Sequence, residues 1–116
     1  MTSILNSLKL PADRTRLRLL LLLAEQDLSV AELQEILGMG QSRISTQLAQ
    51  LKKEGLVIDK RSGKNNIYST RMPDDLLEIA SKAGAELSER EKDLASLRHI
   101  LRKRKDTARA YFDELA

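Results

Sequence analysis

The apolar positions of this chain follow three rhythms, and each rhythm predicts a kind of element. The first is helical. Ile4, Leu5 and Leu8 share one side of a short predicted helix over residues 2–9. Pro11 suits the start of a second helix, predicted over Ala12–Glu25. Arg14, Arg16 and Arg18 punctuate its first half, while Leu17 to Leu23 make the remainder almost wholly apolar. A helix apolar all round belongs at the centre of a core. Asp27-Leu28 closes it. Ser29-Val30-Ala31-Glu32 reads as a capping box, in which serine accepts from an orphan amide and glutamate reaches back. Ala31, Leu33, Ile36 and Leu37 form the inward stripe of the helix that follows. Gly38-Met39-Gly40 makes a turn, and Gln41–Glu54 reads as a further helix with Ile44, Leu48 and Leu51 on one face and Gly55 just past its end.

The second rhythm is that of strands. Leu56-Val57-Ile58 and Asn66–Thr70 are β-prone runs joined across the turn Ser62-Gly63-Lys64-Asn65, a hairpin. Arg71-Met72-Pro73 breaks it, and Asp74-Asp75 opens a helix to about Lys82, which Gly84 bends or ends. The third rhythm has a period of seven. Leu87, Leu94, Leu101, Ala108 and Leu115 recur with Arg90, Leu97, Arg104 and Tyr111 between them, an imperfect coiled-coil seam. The fold class that follows is mainly α with a small β-hairpin wing: a winged helix-turn-helix with a long C-terminal dimerisation helix. Residues 1–72 are expected to be the winged unit. Residues 73–116 are expected to dimerise it or to link it to a further domain.

Two helices across a glycine turn, followed by a wing, are a device for setting one helix in the major groove of DNA. With Ile44, Leu48 and Leu51 inward, Gln41, Ser42, Arg43, Ser45, Thr46 and Gln47 are the candidates for contact. Arginine can bind guanine and glutamine adenine through two hydrogen bonds each, while hydroxyls suit phosphates. Lys52 and Lys53 lie further along and suit the backbone, and Arg61 and Lys64 at the wing tip suit the minor groove or its phosphates. Leu5, Leu8, Leu94, Leu97 and Leu101 are the candidate dimer contacts.

Composition sharpens this mainly by exclusion. At 116 residues the chain suits one domain with an extended terminal helix, and with 3% aromatic residues its core must be aliphatic. The net charge of +3 is modest, but residues 41–64 alone carry six cations against Glu54 and Asp59. The absence of cysteine excludes disulfides, thiolate metal sites and thiol redox sensing. The first residues lack an uninterrupted apolar stretch behind a basic start, and the longest apolar run, Leu19–Ala24, is far too short to cross a bilayer. A soluble cytoplasmic protein, with no membrane partner, is expected.

Asp13-Arg14-Thr15-Arg16-Leu17-Arg18-Leu19-Leu20 resembles the opening of the ArsR-type winged-helix repressors. Leu37-Gly38 leading to Gln41–Leu48, then Leu51–Val57, is similar to their recognition helix, and Arg61–Tyr68 to their wing. The resemblance covers roughly residues 8–70. It implies a homodimer built from the first and last helices, with one recognition helix per subunit in successive major grooves of an operator and an unidentified small-molecule effector. Gln41, Ser42, Arg43, Ser45 and Gln47 fall at the recognition positions, and Gln47 departs from a frequent histidine. Metal-sensing members use cysteines before the recognition helix, where this chain has Gln34, Glu35 and Ile36, or aspartate and histidine pairs on the last helix. His99 is the single histidine here, so neither a metal site nor a cofactor is expected.

Arg98, Arg102, Lys103, Arg104, Lys105 and Arg109 crowd the tail against Asp106, a solvated face or a second DNA-contacting stripe. The closing Arg109–Ala116 resembles the entry to the S-adenosylmethionine-dependent methyltransferase domain of some ArsR-type fusions. No glycine-rich cofactor loop and no nucleophile–base pair in a recognisable context occur, so this chain is not expected to be an enzyme. The alternative to a repressor is a dimerisation or substrate-docking module of such a methyltransferase.

Overall fold

The computed structural model describes residues 13–115, with side chains as far as Arg109. The helix expected over residues 2–9, with Leu5 and Leu8, lies outside the described residues. The first described helix, α1, spans Arg14–Glu25. Asp13 sets its start, two residues later than expected, because its carboxylate accepts from the amides of Thr15 at 3.0 Å and Arg16 at 3.2 Å. Leu19 to Leu23 are each no more than 2% exposed, so α1 is the central helix that its composition demands. Each such leucine contributes roughly 1.5–3 kcal/mol by leaving water.

Where the sequence suggests only the end of that helix, Leu28–Ser29 form a short strand, β1. Two residues carry no readable period, and the strand exists because Ile67 and Tyr68 pair with it. Ser29 then caps α2, Val30–Leu37, with its hydroxyl accepting from the Glu32 amide at 3.2 Å and the Glu32 carboxylate accepting from the Ser29 amide at 3.0 Å. Leu33, Ile36 and Leu37 are buried as expected. Ala31 is exposed, and Val30 packs against the core instead.

Helix α3 spans Gln41–Lys53, and Ile44, Leu48 and Leu51 on it are fully buried. Strands β2, Val57–Ser62, and β3, Asn65–Thr70, pair antiparallel from Val57↔Thr70 to Ser62↔Asn65, leaving Gly63-Lys64 as the turn. β2 runs past Ile58 through charged residues because β3 supplies its ladder. The sheet order is β1-β3-β2. Helices α4, Asp74–Gly84, and α5, Arg90–Leu115, complete the fold.

Leu97 and Ile100 of α5, at 4% and 3% exposed, join the leucines of α1 and α2 in one core. Leu97 is therefore removed from the expected dimer contacts, since its side chain is used within its own chain. Leu94 and Leu101 are half-buried and leave part of their surface free. Beside this core the Arg18 guanidinium donates to both carboxylate oxygens of Asp93, at 2.8 Å each, with the residues 8% and 1% exposed.

Candidate nucleic-acid interface

The turn between α2 and α3 begins at Gly38, whose φ of 66° lies in the left-handed region that a side chain strains. It lets α2 stop, with the Gly38 amide donating to the Gln34 carbonyl at 2.8 Å, and sends the chain into α3. The buried stripe of Ile44, Leu48 and Leu51 seats one side of α3, which sorts its other residues by direction. Ser42, Thr46, Ala49 and Lys53 form the ridge furthest from the core, and all four are exposed. The Thr46 hydroxyl donates to the Ser42 carbonyl at 2.8 Å, which leaves its oxygen free to accept. Gln41, Ser45 and Lys52 lie on one flank, and Arg43, Gln47 and Gln50 on the other.

The two flanks meet different neighbours. On the wing side, the Lys52 ammonium pairs with Asp59 of β2 at 2.6 Å. That hydrogen bond raises the Lys52 pKa above its ordinary value. The cation expected to touch the DNA backbone is thus already partnered. On the α1 side, an Arg43 Nη donates to the Thr15 hydroxyl at 3.4 Å, and Arg16 Nε donates to Gln47 Oε1 at 2.5 Å. A second Arg16 nitrogen donates to Gln50 Oε1. Arg43 therefore lies on the flank beside α1, not opposite the buried stripe, and Gln47 is half-buried against Arg16.

Sequence reading misses Arg16 and Gln50. A signal exists: residues two apart on a helix point about 200° away from each other, so alternating arginines on an apolar helix address opposite sides. Arg16 turns to α3, whereas Arg14 and Arg18 turn to Glu89 and Asp93 around the start of α5.

At the wing, Lys60, Arg61 and Lys64 are exposed and make no ion pair among the described residues, although Arg61 Nε donates to the Gly63 carbonyl at 3.3 Å. Gln41 and Lys64 both line a cleft of about 290 Å³ between α2 and the wing turn. No group of three or more His, Cys, Asp or Glu that could hold a metal ion occurs among the described residues. No described helix is long and apolar enough to cross a membrane.

Residues 13–59, from the cap of α1 into β2, match the family model described as bacterial regulatory protein, arsR family. The helix-turn-helix transcriptional regulator Rv0081 of Mycobacterium tuberculosis is 42% identical over 91 residues, covering 75% of this chain and 80% of that one. The chain belongs to the ArsR family. The crystal structure of Rv0081 superposes with a TM-score of 0.60 at 32% identity, covering 97% of this chain and 92% of its own. The repressor BigR of Xylella fastidiosa gives 0.62 at 30% identity, covering 68% and 80%. The arsenical resistance operon repressor of Escherichia coli is 44% identical over 57 residues, 48% of this chain and 49% of that protein. This ArsR-family chain is a winged helix-turn-helix transcriptional regulator, as its relatives are, and not an enzyme. The methyltransferase resemblance of its closing residues gains no support from these relatives.

Proposed function

We propose that this regulator is a cytoplasmic homodimeric repressor that sets α3 of each subunit in a major groove of its operator and lays the wing on the adjacent backbone. The observation that carries the reading is the sorting of α3. Its apolar stripe is fully buried, while Gln41, Ser42, Arg43 and Thr46 stand exposed at its first turns beside an unpaired cationic wing. Ser45 and Gln47 belong to the supporting flanks, and Lys52 acts through Asp59. The winged unit, residues 1–72, binds DNA, and residues 73–116 join the two copies, with Leu94 and Leu101 at the contact. A small-molecule effector has room in the cleft of about 640 Å³ between α2 and α5, lined by Glu32 and Glu35 of α2 and by Ile100, Lys103 and Thr107 of α5.

Fluorescence anisotropy against the duplex upstream of its own gene, with a scrambled duplex as control, tests the proposal. Tight binding that discriminates against the scramble and falls steeply with salt is expected. Replacing both Arg61 and Lys64 by alanine should reduce the salt slope by about 1.8, roughly 0.9 for each phosphate no longer neutralised. Equal, weak binding to both duplexes would overturn the proposal.

A further inference from the structure

Arg16 stands in the first turn of α1, its backbone amide held by Asp13 and its side chain half-buried against α3. Its Nε donates to Gln47 Oε1 at 2.5 Å, and an Nη donates to Gln50 Oε1. A guanidinium has five N–H donors and no acceptor, so each amide must turn its oxygen to Arg16 and its NH₂ group away. Among the described residues no acceptor takes either amide nitrogen. Gln47 and Gln50 are three apart on one flank of α3, so one cation orients them as a pair. Gln47 is half-buried and Gln50 exposed, which makes Gln50 the member free to meet a base.

Glutamine reads adenine by donating to N7 while accepting from the N6 amine. An amide oxygen carries two lone pairs; Arg16 occupies one of them and fixes the direction of the amide, which weakens the pairing with adenine. Its NH₂ group, turned away from Arg16, is the part directed outward, and two donors suit guanine, with acceptors at both O6 and N7, better than adenine, whose amine would face N–H groups. We infer that Arg16 is a specificity-determining positioning residue: it holds Gln50, braced by Gln47, with its NH₂ donors outward, and so favours guanine over adenine at one position of each half-site. This rests on the proposed placement of α3 in the major groove.

The test is selection from a random duplex pool with the full chain, its Arg16→Ala and Arg16→Lys variants, and Gln50→Glu. Anisotropy on defined duplexes carrying guanine or adenine at each enriched position then measures the preference. The unaltered protein should enrich a two-fold-related motif and prefer guanine about tenfold at one position per half-site. Arg16→Ala should keep the rest of the motif and bring that ratio near parity or below it, with Arg16→Lys intermediate. Gln50→Glu keeps an oxygen for Arg16 and loses the amide donor, so its preference at the same position should move to cytosine, whose N4 amine donates. This second variant decides the matter even if Arg16→Ala fails to fold. An identical motif and ratio in the folded Arg16 variants and in Gln50→Glu would overturn the inference and leave α3 in the groove. A pool in which the unaltered protein enriches nothing would overturn the placement of α3, and the inference with it.

Discussion

Arg18 and Asp93 show how one pair of charges can be tolerated inside an aliphatic core. Both residues are over nine-tenths buried, and the two parallel hydrogen bonds at 2.8 Å satisfy the carboxylate and the fork of the guanidinium together. The Asp93 hydrogen bond, chiefly, raises the Arg18 pKa, opposed by burial. Asp93→Ala leaves the Arg18 cation with only the longer Glu89 contact, at 3.8 Å, and should destabilise the chain by about 3 kcal/mol in chemical denaturation. Arg18→Met combined with Asp93→Leu should recover most of the loss. Glu32 gives a milder, pH-dependent case. Burial pushes its carboxyl up, but hydrogen bonds from Arg104 and Ser29 outweigh this, and its folded pKa ends below the ordinary value. A depressed folded pKa stabilises fully above the unfolded value and fades as pH falls through the folded one. Glu32→Gln should therefore cost roughly 1 kcal/mol at neutral pH, a deficit that closes in melts taken below the usual carboxylate range. Apart from the Ser29–Glu32 capping box, these partnerships are not legible in the chain. Arg18 and Asp93 lie far apart in sequence, and nothing local marks them as partners.

Among the elements, those carrying their own signal are readable. The capping box at Ser29, the glycine turn at Gly38 and the stripe of Ile44, Leu48 and Leu51 each state a local preference, and the structure keeps all three. β1 and the length of β2 are not readable, because both depend on β3, which comes later in the chain. Gly84 hides a related dependence. It ends α4, but its lack of a side chain also answers to α1: a Cβ there would lie 2.2 Å from Leu21 Cδ1. Gly84→Ala should force the buried Leu21 side chain to repack at a cost of about 1–3 kcal/mol, seen as a lowered melting temperature. On α3 the candidate face is legible as a polar surface. Its division into an outward ridge and two engaged flanks requires α1 and the wing to be in place.

For the whole molecule, the seven-residue rhythm of α5 divides its work. Leu97 packs into the core of its own chain, whereas Leu94 and Leu101 keep part of their surface outward. Leu94→Glu with Leu101→Glu should give a folded monomer by light scattering. Leu97→Glu should unfold the chain, and a dimeric mass for the first variant would remove this seam from the interface. The wing also bears on how the free protein behaves at high concentration. β3 is paired on both sides, by β1 and β2, so among the described residues the outer border of β2 has no ladder partner in the sheet. Such a border is a template on which another chain can add a strand. Lys60 and Arg61 are exposed on β2, and their repulsion discourages two wings from zipping together. The charges proposed to meet phosphate thus also guard the free protein against aggregation, so exchanging them for β-branched residues should lower solubility along with any DNA affinity they supply.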